Sequence, residues 1–172
     1  MVTIISASNR KENLTYSYSV YCKKFLEHLN FEHRLFSLAE IPDLLSLKSV
    51  YEYETSDFNV LAKDIFVPAK KLLFIVPEYN GSMPGILKLF IDAIHPQYFK
   101  GKKAALIGVS SGRAGNLRGM DHLTDILHHL QVNVMPQKLP ISKMNSFLEG
   151  NEINNLETKK LIEQHINRLI EF

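Results

Sequence analysis

Leu72-Leu73-Phe74-Ile75-Val76-Pro77 is an unbroken apolar run stopped by a proline, and its reading decides the fold. A short run with no polar alternation, rich in branched and aromatic side chains, suits a strand buried on both faces of a sheet. Such strands belong to parallel sheets with helices on both sides. Upstream, Val2 to Ser6 reads the same way; downstream, Ala104 to Val109 repeats it. Between these runs the apolar spacing becomes helical. Leu14, Tyr18, Tyr21, Cys22, Phe25 and Leu29 predict a helix over about Leu14–Leu29, and Phe31 to Phe36 a second strand. Ile41 to Tyr53 is irregular, and a helix is expected from about Asp57 to Val67. Ile86, Leu87, Phe90, Ile91 and Ile94 mark a helix starting near Pro84, a favoured first-turn residue. Leu117, Met120, Leu123, Leu127 and Leu130 mark the next. Gln131 to Ile141, with Pro136 and Pro140, holds a short fifth strand. The last helix runs from about Asn154 to Ile170, burying Leu161, Ile162, Ile166, Leu169 and Ile170.

Strand and helix thus alternate throughout, which specifies an α/β three-layer sandwich. Five strands fit a parallel sheet in the flavodoxin-like order 2-1-3-4-5, with helices on both faces. The chain has 172 residues, 45% of them hydrophobic, and reads as a single domain over 1–172. The balance of 20 basic to 18 acidic side chains gives no electrostatic case for nucleic acid or an anionic membrane. Cys22 is the only cysteine, which suits a reducing cytoplasm; mid-helix among apolar neighbours, it reads as a core thiol rather than a nucleophile. No signal peptide or membrane-spanning stretch is apparent.

In an open parallel sheet, ligands bind beyond the carboxyl ends of the strands, where the strand order reverses. Three loops reach that edge. The first, Ser6 to Thr15, leads into a helix N-terminus whose free N–H groups and dipole attract an anion. Ser8, Asn13 and Thr15 offer side-chain donors and Arg10 a charge, which suits a terminal phosphate; an ordinary N-capped loop explains the same residues equally well. The third-strand loop, Pro77 to Gly85, holds two glycines and two prolines in nine residues. Such a preset backbone can hydrogen-bond a planar heterocycle, with Tyr79 against it. The fourth-strand loop, Ser110 to Gly119, combines small residues with Arg113 and Arg118. Of the eight glycines, seven fall between Gly81 and Gly119, five of them in the two later loops. His122, His128 and His129 lack the carboxylates or cysteines that would complete a metal site. Lys100-Gly101-Lys102-Lys103 reads as a solvated turn, and no Walker-type lysine follows Gly81 and Gly85.

Pro77-Glu78-Tyr79-Asn80-Gly81-Ser82-Met83-Pro84-Gly85-Ile86-Leu87-Lys88 resembles the PEYN-x-S-x-PG-x-LK signature of the NADPH-dependent FMN reductase family, and Asp92 matches an acidic position a turn later. With all three loops in order, the resemblance extends from Val2 to about Leu130. It implies a flavodoxin-like flavoenzyme that binds FMN and uses NADPH or NADH as co-substrate. Ser8, Arg10, Asn13, Leu14 and Thr15 would hold the FMN phosphate end. Pro77, Glu78, Tyr79, Asn80 and Gly81 would line the isoalloxazine and ribityl chain. Ser110, Gly112 and Arg113 would border the pyrimidine edge. Family members pair as dimers or tetramers through the helices after the third and fourth strands, for which Met120, Leu123, Leu127 and Leu130 offer an apolar stripe. The family usually has glycine where this chain has Ala7, and serine and asparagine where it has Asn13 and Thr15.

The implied activity is NAD(P)H-dependent reduction of a flat acceptor such as a flavin, quinone or azo compound. The competing readings are an FMN electron carrier, against which the charge of +2 speaks, and a family member that has lost its cofactor.

Overall fold

The computed structural model describes residues 1–11, 13–40 and 57–172. Glu12 and the irregular Ile41–Tyr53 stretch lie outside the described residues. The elements alternate as expected: β1 (Val2–Ser6), α1 (Leu14–His28), β2 (His33–Ser37), α2 (Asp57–Phe66), β3 (Lys71–Pro77), α3 (Gly85–Asp92), β4 (Lys103–Val109) and α4 (Leu117–His129). Beyond α4 the chain is more broken than its sequence suggests. Two short strands, β5 (Asn133–Val134) and β6 (Leu139–Ile141), replace the single fifth strand. A hairpin of β7 (Leu148–Glu149) and β8 (Glu152–Ile153) precedes α5 (Leu156–Glu171).

The strands pair in the order β2-β1-β3-β4-β5, with β6 also on β4, and every pairing in this main sheet is parallel. β5 meets β4 at Lys103 and Ala104, β6 at Ile107 to Val109. Met135 to Lys138, including Pro136, falls between them, because a proline removes one ladder donor.

The sheet divides its side chains by parity. Leu72, Phe74 and Val76 of β3 join the core under α2, α3 and α4, with Ile65, Phe66, Phe90, Leu123 and Leu127. Leu73 and Ile75 face α1 and α5, with Tyr18, Cys22, Leu26, Ile162 and Ile166. Cys22 is fully buried, and burial pushes its thiol up to about 12, so it is the inert core thiol expected. Leu161 is the exception on α5: it is 44% exposed, while His165 takes an inward position. The α4 stripe Met120, Leu123 and Leu127 is wholly buried against the sheet and so is not an assembly surface.

The amino end of the sheet corrects a second expectation. Lys102 Nζ donates to the carbonyls of Phe66 and Ala69, at the end of α2. Lys71 Nζ donates to the Leu169 and Ile170 carbonyls, and Lys103 Nζ to that of Phe172, at the end of α5. These lysines close helix C-termini, where carbonyls lack intrahelical partners and the dipole favours a cation. The turn is therefore partly buried rather than simply solvated. No helix among the described residues is long and apolar enough to cross a membrane.

Candidate active site

At the carboxyl ends of β1, β3, β4 and β6 the loops enclose a cleft of about 460 Å³. That lies within the range of small-molecule sites, roughly 300–1,000 Å³. Nine of the thirteen sequence-predicted residues line it: Arg10, Asn13, Leu14, Thr15, Pro77, Glu78, Tyr79, Asn80 and Ser110. Ser8, Gly81, Gly112 and Arg113 do not. A larger cavity of about 770 Å³ opens on the other side of Asn13 and Leu14, along α1. It touches only the first loop, so the chemistry of the three loops does not converge there.

The first loop contains the N-cap that its sequence allowed. Asn13 is the N-cap of α1: its side chain accepts from the Tyr16 amide at 2.9 Å, and its Nδ2 donates to the Arg10 carbonyl at 2.6 Å. The side chain is therefore engaged, and what Asn13 presents to an anion is backbone. Leu14 and Thr15 supply first-turn N–H groups with no intrahelical acceptor. The Arg10 guanidinium lies 4.3 Å from the centre of the Tyr79 ring. Ser8, buried behind it, shares a 2.8 Å hydrogen bond with the Tyr79 hydroxyl, so the first loop holds the third in place. Ala7 is fully buried in the core under α2, and its amide donates to the Ile75 carbonyl at 3.0 Å.

The third loop owes its shape to Asn80-Gly81. Tyr79 and Ser82 exchange backbone hydrogen bonds of 2.9 and 3.1 Å across these two residues, whose φ values are +52° and +74°. Positive φ at both central positions makes the tight turn for which Asn-Gly is the favoured pair. Glu78 N–H is taken by the Val109 carbonyl and Tyr79 N–H by Ser82. Among the described residues this leaves Asn80 and Gly81 N–H without an acceptor. Pro84 is the N-cap of α3 rather than its first turn, and Gly85 begins the helix.

The fourth loop is fastened at both ends. Ser110 N–H donates to Ile141, Lys143 N–H to Gly112, and Met144 N–H to Ser110, all at 2.9–3.0 Å. The N–H groups of Ser111, Gly112 and Arg113 make no hydrogen bond among the described residues. Asn116 is the anchor. It is 1% exposed and left-handed at φ +61°, and at the N-cap of α4 its side chain does not cap its own helix. Its Nδ2 instead donates to the carbonyls of Val76 and Pro77, each at 3.0 Å. That ties α4 to the last residues of β3, directly before the Glu78–Ser82 turn.

Val109, Ser111, Met144 and Asn145 complete the lining and were missed. Ser111 sits inside a loop already suspected. Met144 and Asn145 follow β6, where the sequence signal was only a strand and a helix. The Tyr18 hydroxyl brings this segment in by donating to the Met144 carbonyl at 2.9 Å. Among the described residues no group of three or more His, Cys, Asp or Glu side chains is placed to hold a metal. His122 instead shares a 2.8 Å hydrogen bond with Ser82 through Nδ1.

The chain has relatives among known proteins. The profile of the NADPH-dependent FMN reductase family matches residues 1–146. The chain belongs to this family. An NAD(P)H-dependent FMN reductase of Pseudomonas aeruginosa is 40% identical over 106 residues, covering 59% of the chain and 57% of that enzyme. The chain thus aligns with little more than half the length of this relative. A 2-hydroxy-1,4-benzoquinone reductase of a Burkholderia species is 31% identical over 151 residues, covering 79% and 82%. In architecture the chain is similar to FerB, a flavoenzyme NAD(P)H:(acceptor) oxidoreductase of Paracoccus denitrificans. The TM-score is 0.79 over 99% of this chain and 94% of that one, at 24% identity, a likeness of fold. The family signature at Pro77–Lys88 is the stretch that forms the Asn-Gly turn and starts α3.

Proposed function

We propose that residues 1–172 act as one FMN-binding domain that catalyses NAD(P)H-dependent reduction of a flat acceptor, such as a flavin, quinone or azo compound. The observation that carries this is the convergence of unpaired donors from three loops on one cleft. The donors match the group part by part. The α1 N-terminus and Arg10 suit a phosphate dianion. Asn80 N–H and Ser111 N–H, on the cleft wall, suit the carbonyl and ring-nitrogen acceptors of a planar heterocycle, with the unpaired N–H groups of Gly112 and Arg113 next to that wall in the same loop. Tyr79, clamped between Arg10 and Ser8, gives the ring a fixed aromatic neighbour.

Bound FMN would supply the hydride and electron chemistry. The chain's own residues bind, orient and polarise. Leu14 and Thr15 N–H with Arg10 would fix the phosphate end, assisted by Ser8 where its hydroxyl meets Tyr79. Pro77, Glu78, Tyr79, Asn80 and Gly81 would set the plane of the ring. Fixed N–H dipoles of the fourth loop, near Ser110, Gly112 and Arg113, would favour the extra negative charge of the reduced state. This reading requires no acid–base dyad in the cleft.

Family membership and the cleft support FMN together with NAD(P)H. A cytoplasmic location is supported by the single, buried Cys22. A homodimer or homotetramer is supported by a hollow of about 560 Å³ between α3 and α4, where Ile91, Ile94, Pro96, Ile126 and Leu130 are joined by Lys88, Asp92, Asp125 and His129. No role with nucleic acid or membrane is proposed. The decisive experiment is the visible spectrum of the purified protein followed by anaerobic NADPH or NADH. Flavin absorbance that bleaches rapidly supports the reading. A yellow protein that does not bleach points to an electron carrier, and a colourless protein that cannot be loaded with FMN refutes both.

A further inference from the structure

The outer side of the Asn80-Gly81 turn carries a second constellation that the flavin reading does not use. Arg118, in the first turn of α4, lies directly on Gly81: a Cβ at that position would sit 2.8 Å from Arg118 Nη1. Glycine is favoured at 81 by its φ of +74°, and the Arg118 guanidinium lies in the side-chain space that glycine leaves open. His122 stands four residues on, on the same helix face. It reaches the same turn, bonded to Ser82 Oγ at 2.8 Å. Arg118 is exposed and makes no ion pair or hydrogen bond among the described residues. An uncompensated guanidinium, a hydroxyl and an imidazole thus meet on the rim of the cleft, separated from its interior by one tight turn.

A reduced pyridine dinucleotide must lay its nicotinamide against the flavin, yet 460 Å³ does not admit the whole molecule beside FMN. Its phosphates must therefore rest on the rim. On the α1 side, Arg10 and the helix N-terminus are committed to the flavin phosphate. We infer that Arg118, with Ser82 Oγ and His122, seats a phosphate of the incoming NADPH or NADH. The bidentate guanidinium supplies most of the attraction, and the inference rests on the flavoenzyme reading above.

The test uses FMN-loaded protein and three hydride donors: NADPH, NADH and 1-benzyl-1,4-dihydronicotinamide, which has no phosphate. Arg118→Ala is expected to lower kcat/KM for the two dinucleotides about 30-fold, through KM, the scale of one lost charge-assisted contact. Arg118→Lys should recover part of that loss, and Ser82→Ala should show the same pattern more weakly. The benzyl donor should change less than about twofold, since it brings no anion for the rim to hold. Equal losses for all three donors would assign Arg118 to the flavin or the fold and overturn the inference, as would no loss at all. If Arg118→Ala does not load FMN, Arg118→Gln carries the same comparison. Wild-type protein that binds no FMN would overturn the flavoenzyme reading and this inference with it. A normally bleaching wild type with an indifferent Arg118 would overturn this inference alone.

Discussion

The two edges of the central sheet carry similar charges and use them in opposite ways. At the amino edge, Lys71, Lys102 and Lys103 each donate to helix C-terminal carbonyls. At the carboxyl edge, Arg113 and Arg118 have no acceptor among the described residues, and Arg10 leans on an aromatic ring. Burial even holds the Lys102 ammonium below the usual lysine pKa, although two carbonyls accept from it. Cations at one edge are satisfied within the fold and hold helices to the sheet. The side chains of those at the other make no hydrogen bond or ion pair among the described residues, and we propose that they serve binding. Changes at the amino edge should therefore alter stability, and changes to the free donors at the carboxyl edge should alter binding.

The largest expected effect blurs that division on purpose, because Gly108 and Gly115 are structural residues at the binding edge. A Cβ on Gly108 would lie 2.2 Å from the Gly115 carbonyl oxygen, a backbone atom that cannot step aside without moving the fourth loop. Gly108→Ala should cost about 3 kcal/mol in urea unfolding, the scale of core overpacking. It should also weaken flavin binding, because the Ser111–Arg113 amides move with the loop. Unchanged stability would mean that this loop is held less firmly than its hydrogen bonds indicate.

Next comes a test midway between the edges. His165 of α5 is 3% exposed, its Nε2 lacks a hydrogen-bond partner, and burial holds its pKa down at about 4. An ordinary imidazole titrates near 6.5, so between these values the unfolded chain binds the extra proton. Stability is then full above pH 6.5 and declines as pH falls towards 4, by about 2 kcal/mol at pH 5. Urea titrations at pH 7 and pH 5 check this. His165→Phe should flatten the difference, and an unflattened slope would assign the acid sensitivity to other groups.

The carboxyl-edge counterpart is Arg10→Ala. Loss of a charge-assisted phosphate contact should weaken FMN binding about 30-fold, near 2 kcal/mol, and leave riboflavin binding and the melting temperature nearly unchanged. Equal losses for FMN and riboflavin would place Arg10 at the ring through Tyr79 rather than at the phosphate.

How much of this was legible in the chain follows the range of the interactions. Leu72–Val76 and Ala104–Val109 announced central strands because burial on both faces leaves a local record. The Asn80-Gly81 turn was legible as a preset backbone, because positive φ selects those residues wherever they occur. The cross-chain uses were not. Asn116 sits unremarked within the fourth-strand loop, and only the fold shows its amide turned to Val76 and Pro77. Lys102 looks like a solvated turn residue until the end of α2 is brought above it. The β7–β8 hairpin escaped because strands of two residues have no period to detect, although Gly150 with φ +61° marks its turn. Met144 and Asn145 escaped because the second half of the edge strand is held by β4, not by any pattern of its own.

The smallest expected effect is the cleanest check on the amino edge. Lys102→Met keeps the aliphatic stem and removes the ammonium that closes α2. It relieves the desolvation that depresses the Lys102 pKa, leaves the Ala69 carbonyl without its donor and leaves the Phe66 carbonyl with the Ala69 N–H alone. The two changes oppose each other, and the lost donor outweighs the relief, because Ala69 is nearly fully buried and its carbonyl then has no partner among the described residues. A net loss of about 1 kcal/mol is expected, read as a melting temperature lower by about 3 °C for a chain of this size. Affinity for FMN should not move, since the cleft lies at the far end of the strands. A variant that melts normally but binds flavin poorly would show that the two edges are coupled through β4, and the separation of stability from binding would not hold.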